Sequence, residues 1–137
     1  MKTTRLYPIL FAVMALLIAS LACNALASTP GASNFYMASD VEGNNRTTVF
    51  SSTDDFYVFF EVSAIEVGTN FQSRWYALDI EGEDPNTPFQ TIDYVYESGV
   101  SSIYFQLTSS DGWPAGNYKV EVYMNDAKVG EQQFSVQ

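Results

Sequence analysis

From residue 35 to the end of the chain, apolar side chains recur every second residue, and no stretch places them at the three- and four-residue spacing of a capped helix. Tyr118, Val120, Val122 and Met124 fall on one side of such a stretch, with Lys119, Glu121 and Tyr123 on the other. Ile103, Phe105 and Leu107 alternate with Tyr104 and Gln106 in the same way. Phe56, Val58, Phe60 and Val62 share a face, but Tyr57 and Phe59 make the opposite face apolar too. That strand is expected to be central, or covered on its second side. The pattern predicts strands over Phe35–Val41, Thr47–Ser51, Phe56–Ile65, Phe71–Ile80, Gln90–Glu97, Ser101–Thr108, Asn117–Met124 and Lys128–Val136. Turn residues divide them: Glu42–Asn45, Val67–Asn70, Glu81–Pro88, Ser98-Gly99 and Asp111–Gly116. Asn125-Asp126 suits a two-residue hairpin, because both residues tolerate left-handed backbone.

Seven or eight short antiparallel strands in about 100 residues make an all-β, immunoglobulin-like sandwich. Local residues carry a more specific likeness. Trp113-Pro114-Ala115-Gly116-Asn117-Tyr118-Lys119-Val120 resembles the Pro-x-Gly-x-Tyr-x-Val opening of strand F in immunoglobulin-like and fibronectin type III-like domains. The resemblance implies a tyrosine corner, with the Tyr118 ring buried and its hydroxyl bonded to backbone just upstream. It implies that Trp75 is similar to the core Trp of strand C. Val120 then stands where antibody domains carry their second Cys, opposite Val58 and Phe60, so an apolar contact replaces the disulfide. The closing segment from Tyr123 to Val136 is similar to the last hairpin of β-sandwich domains in small bacterial surface lipoproteins. None of this names a function, because such folds host many.

The N-terminal segment has a different character. Lys2 and Arg5 precede thirteen residues, 9–21, that carry no charge, and small residues follow. A basic start, a short apolar run and a small-residue end describe a secretory signal peptide. The run is short of the roughly 20 residues that span a bilayer. Two processing sites compete: after Ala27, in Ala25-Leu26-Ala27, or before Cys23, the chain's only Cys. Ser20-Leu21-Ala22-Cys23 looks like a bacterial lipobox whose Leu stands one place late. We expect residues 1–22 to be a signal peptide, Cys23 to be the lipidation site, 23–34 a flexible tether and 35–137 the folded domain. The composition of Asn24–Asn34, rich in Ala, Ser, Gly and Pro, suits a tether. Beyond Cys23 the 16 acids face only Arg46, Arg74, Lys119 and Lys128, a balance near -12. That charge is repelled by anionic lipid and by nucleic acid alike. A membrane link therefore runs through acyl chains, each buried methylene of which adds about 0.8 kcal/mol.

Chemistry is thin. No His is present, so there is no imidazole base, and one Cys makes neither an internal disulfide nor a thiolate cage. No cofactor and no catalytic residue is expected. Asp79, Glu81, Glu83 and Asp84 place four carboxylates in six residues, a candidate Ca²⁺ site by ligand type. Their spacing is not that of a calcium loop. Paired acids also leave a small glycoside hydrolase as a distant alternative. Nineteen aromatics follow the leader. Trp113, Tyr94, Tyr96, Tyr104 and Tyr123 are candidates for an exposed platform, since Tyr and Trp join apolar area to a polar handle. The reading is an exported, lipid-anchored, non-enzymatic module of the cell envelope with a protein or glycan partner, a carbohydrate-binding module being the first alternative.

Overall fold

The computed structural model describes residues 30–137. The expected leader, Cys23 and most of the expected tether lie outside the described residues. The described chain is all-β and immunoglobulin-like, with eight strands in two sheets. Sheet A runs β1 (Gly31–Ala38), β3 (Phe56–Ser63), β6 (Ser102–Leu107). Sheet B runs β2 (Val49–Phe50), β8 (Ala127–Val136), β7 (Gly116–Met124), β4 (Asn70–Ala77), β5 (Gln90–Val95). Every pairing is antiparallel except the short parallel contact of β2 on β8.

The period-two pattern sets the faces. Phe56, Val58, Phe60 and Val62 of β3 meet Phe71, Trp75, Val120 and Val122 of sheet B in one core. Trp75 is wholly buried, stacks on Phe56 at 6.4 Å, and donates its indole N–H to Ser73 Oγ at 2.9 Å. Its ladder partner on β7 is Val120, which lies in the same buried core as Val58 and Phe60. Among the described residues, no buried side-chain nitrogen or oxygen lacks a hydrogen-bond partner.

The tyrosine corner is present. Tyr118 is buried against Phe134, and its hydroxyl donates to the Pro114 carbonyl at 2.7 Å. Gly116 opens β7 at a φ of 152°, where a β-carbon would collide with Ile80 and Asp79. The Gly-x-Tyr pair thus combines a backbone turn with an anchored ring. Tyr118→Phe keeps the ring and orphans the Pro114 carbonyl, and should lower stability by about 0.5–1.5 kcal/mol. A urea midpoint equal to that of the wild type would refute the bond's contribution.

All eight strands differ from expectation at one or both ends. β1 begins at Gly31, not Phe35, so residues 31–34 of the expected tether are strand. Gly31, Ala32 and Ser33 pair with Ser63, Val62 and Glu61, and Ala32 packs against the core. Small polar composition concealed this, as did a break in register between Ser33 and Tyr36, where Asn34 turns left-handed. The second strand shrinks from Thr47–Ser51 to Val49–Phe50. The predicted hairpin at Asn125-Asp126 is present, with both residues at positive φ.

Candidate interaction surfaces

β3 is central in sheet A and covered on its second face as well. Tyr57 and Phe59 point away from the core yet are buried, because the loop after β1 folds over them. Gly43 sits at the contact. A β-carbon there would stand 2.6 Å from the Tyr36 hydroxyl and 3.3 Å from the Phe59 ring. Tyr36 lies flat on Phe59 at 5.0 Å, and the Arg46 guanidinium caps Tyr36 at 3.6 Å. Asp40 holds the loop by accepting from the Asn44 and Asn45 backbone. Burial, then the charges of Asp55, Glu42 and Asp40, pushes the Tyr57 hydroxyl above its ordinary pKa. Of this face's aromatic side chains, Tyr104 at the margin stands furthest out, 46% exposed.

The outer face of sheet B carries Arg74, Lys119 and Lys128, three of the four cations beyond Cys23. They are already engaged. Glu121, 7% exposed, accepts from Lys119 at 3.0 Å, Lys128 at 3.3 Å and the Tyr123 hydroxyl at 2.6 Å. Burial pushes its carboxyl up, but these donors outweigh it and hold the pKa at about 2. Arg74 caps the Tyr123 ring at 3.8 Å and Lys119 lies 4.6 Å from Tyr76. Tyr123 is thus one member of a closed polar network. Sequence alternation placed Glu121 on the outer face correctly, but its burial comes from cross-strand neighbours.

The expected platform is not assembled. Tyr94 and Tyr96 face inward and pack on the core, Tyr104 stands on sheet A's outer face, and Tyr123 on sheet B's. Tyr96 donates to the Val100 carbonyl at 2.9 Å and pins the turn between β5 and β6 as Tyr118 pins its own. Trp113 covers the end of the sandwich, stacked on Phe56 at 4.7 Å, with its indole N–H on the Asp54 carbonyl at 3.0 Å. One ring face and the polar handle are committed to the fold.

Nor does the acidic turn form a cation site. Asp79 accepts from the Asn117 backbone and side chain at 2.6 and 2.7 Å. Asp84 caps its own turn through Asn86 and Thr87. These bonds hold both carboxyls below their ordinary pKa. Among the described residues, no group of three or more acids, Cys or His is placed to hold a metal.

The flanks of the sandwich are unequal. On one, the Phe35 ring of β1 lies over Gly130 of β8, and Gln132 donates to the Phe35 carbonyl at 3.3 Å. On the other, β5 and β6 end their sheets without pairing to each other. Between them runs a groove of about 350 Å³, lined by Ile92 and Tyr94 on one wall and Ile103, Tyr104 and Phe105 on the other. An edge is a property of the assembled sheet. The uncharged run Ser102–Leu107 was its one visible trace in the sequence.

No family model and no curated protein sequence matches the chain. Among solved structures, an immunoglobulin-like protein from Pseudomonas aeruginosa is similar at a TM-score of 0.59 and 12% identity, covering 82% of this chain and 99% of that one. An alkylpurine DNA glycosylase from Pseudomonas fluorescens (TM-score 0.48, 10% identity, 82% of this chain, 31% of that one) overlaps less well. So does a Niemann-Pick type C2 protein from Japanese carpenter ant (TM-score 0.32, 13% identity, 80% and 92%). The Pseudomonas aeruginosa likeness agrees with the strand pattern and the tyrosine corner in making the domain an immunoglobulin-like sandwich.

Proposed function

We propose that the chain is an exported binding module, held at the bacterial envelope by acyl chains on Cys23, which engages a protein partner and catalyses nothing. The inequality of the two flanks carries the binding half of this reading. The core is filled, the outer faces are closed by a loop and an ion-pair network, and one flank is left open with a groove beside a free sheet edge. The glycan alternative has less support, because Trp113 stacks on the core. The export half rests on the sequence of residues 1–27 and on a domain charge near -12 that needs a lipid to stay at an anionic membrane.

Intact mass of the protein from a membrane fraction tests export and anchoring together. A chain beginning at Cys23 with the added mass of acyl groups is the expected result. A chain beginning at Ser28 without modification would replace the anchor by free secretion. An unprocessed chain in the cytoplasm would overturn the whole localisation.

A further inference from the structure

We infer that the open flank receives an added β-strand, an extended basic segment of a partner polypeptide lying along the edge of β6. This deepens the reading of the chain as a binding module and rests on it. Four strands end the two sheets, and three are blunted. β2 is two residues long. β1 breaks register at Asn34, and its Phe35 carbonyl is already taken by Gln132. β5 carries Asp93 in its middle. β6, Ser-Ile-Tyr-Phe-Gln-Leu, has no charge, proline, glycine or bulge, and stays in unbroken register with β3 over its whole length.

The register also shows which backbone groups are free. Val62 N–H donates to the Ser101 carbonyl at 2.9 Å, which makes that pair hydrogen-bonded and sets the alternation along the ladder. Ile103, Phe105 and Leu107 then face β3. The N–H and C=O groups of Ser102, Tyr104 and Gln106 point out of the sheet, and among the described residues no other backbone or side chain bonds them.

A strand added there sends alternate side chains two ways. Those turned inward enter the groove against Ile92, Tyr94 and Phe105, so they are apolar. Those turned outward lie beside Tyr104 and Gln106. Asp55 approaches Gln106 Nε2 at 3.4 Å. Asp93 stands on the opposite lip, and no Lys or Arg lines the groove. Complementarity therefore asks for Lys or Arg at every second position. It also disfavours a second copy of this chain, which would bring two such acidic flanks together.

The probe is a capped peptide of alternating valine and lysine, long enough to span β6, added to the full chain. Amide hydrogen exchange is read by NMR. The Ser102, Tyr104 and Gln106 amides should exchange fast in the free protein and slow by about tenfold or more with peptide. An N-methylated version, which cannot complete the ladder, should protect none of them. Tyr104→Lys should weaken the peptide by about tenfold through like-charge repulsion. Ser102→Lys, at the exposed end of the strand, serves if the first variant folds poorly. Unchanged exchange at saturating peptide overturns the inference. So does equal protection by a valine–glutamate peptide, or protection that grows with protein concentration alone, which would put a second copy on the edge. A mature lipoprotein with an inert β6 edge would sink this inference alone. An unexported chain that binds the peptide would sink only the localisation.

Discussion

Trp75→Ala should cost about 3–5 kcal/mol, because it empties the centre of the sandwich and the sheets cannot close over the loss. The indole is wholly buried, 6.4 Å from the Phe56 ring and 6.1 Å from that of Phe134. Both neighbours are held in turn by Phe50 and Tyr118. A domain of this size is stable by only about 5–15 kcal/mol, so the substitution removes a large part of the total. Its melting temperature should fall by roughly 15–30 °C. The buried Ser73 hydroxyl adds a second effect, since it accepts the indole N–H. Trp75→Phe keeps most of the volume but strands Ser73, and should cost about 1–3 kcal/mol. Adding Ser73→Ala to Trp75→Phe should recover part of that cost. Melting of Trp75→Ala within a few degrees of the wild type, followed by circular dichroism, would mean that Trp75 is not the centre of this core.

How far such features were legible depended on the range of the interaction. Alternation is local, and it placed both faces of β3, β6 and β7 correctly. The tyrosine corner is local too: Pro114, Gly116 and Tyr118 lie within one turn, and the motif implied the hydroxyl's partner. The Asn125-Asp126 hairpin needed only the two residues' tolerance of positive φ. What failed required neighbours distant in sequence. Tyr94, Tyr96, Tyr104 and Tyr123 alternate like surface residues, yet strand order sends them to different places, and two of them pack on the core. The first half of β1 was concealed because Gly31–Asn34 has tether composition and becomes strand only through its pairing with β3. The candidate site was least legible. An edge exists only once sheet order is known, and beyond its lack of charge nothing local distinguishes β6, which has one neighbour, from β7, which has two.

Glu121 is another long-range product, and it makes acid stability the other large expected effect. Its carboxylate faces Lys119 two residues away and Lys128 across the hairpin, with Tyr123 donating from above. The folded pKa of about 2 lies below the ordinary 4.5, so the unfolded chain binds the proton more readily. The stabilisation is therefore fully present above about pH 4.5 and is lost as the pH falls through about 2. A gap of that size corresponds to about 3 kcal/mol. Glu121→Gln preserves shape and an acceptor but leaves Lys119 and Lys128 close together with only Glu131 to pair them. At neutral pH it should be less stable by about 2–3 kcal/mol, and the difference from wild type should shrink to nearly nothing by about pH 2. Asp79 and Asp84, also held low, titrate alike in both proteins and cancel from the comparison. Part of the effect should yield to salt, since Lys128 is 40% exposed whereas Glu121 and Lys119 are largely sheltered. Urea midpoints of the two proteins across this pH range decide the matter. A constant difference from neutral to acid would show that Glu121 acts through its shape and hydrogen bonds alone, and a vanishing one that its charge locks the β7–β8 hairpin onto sheet B.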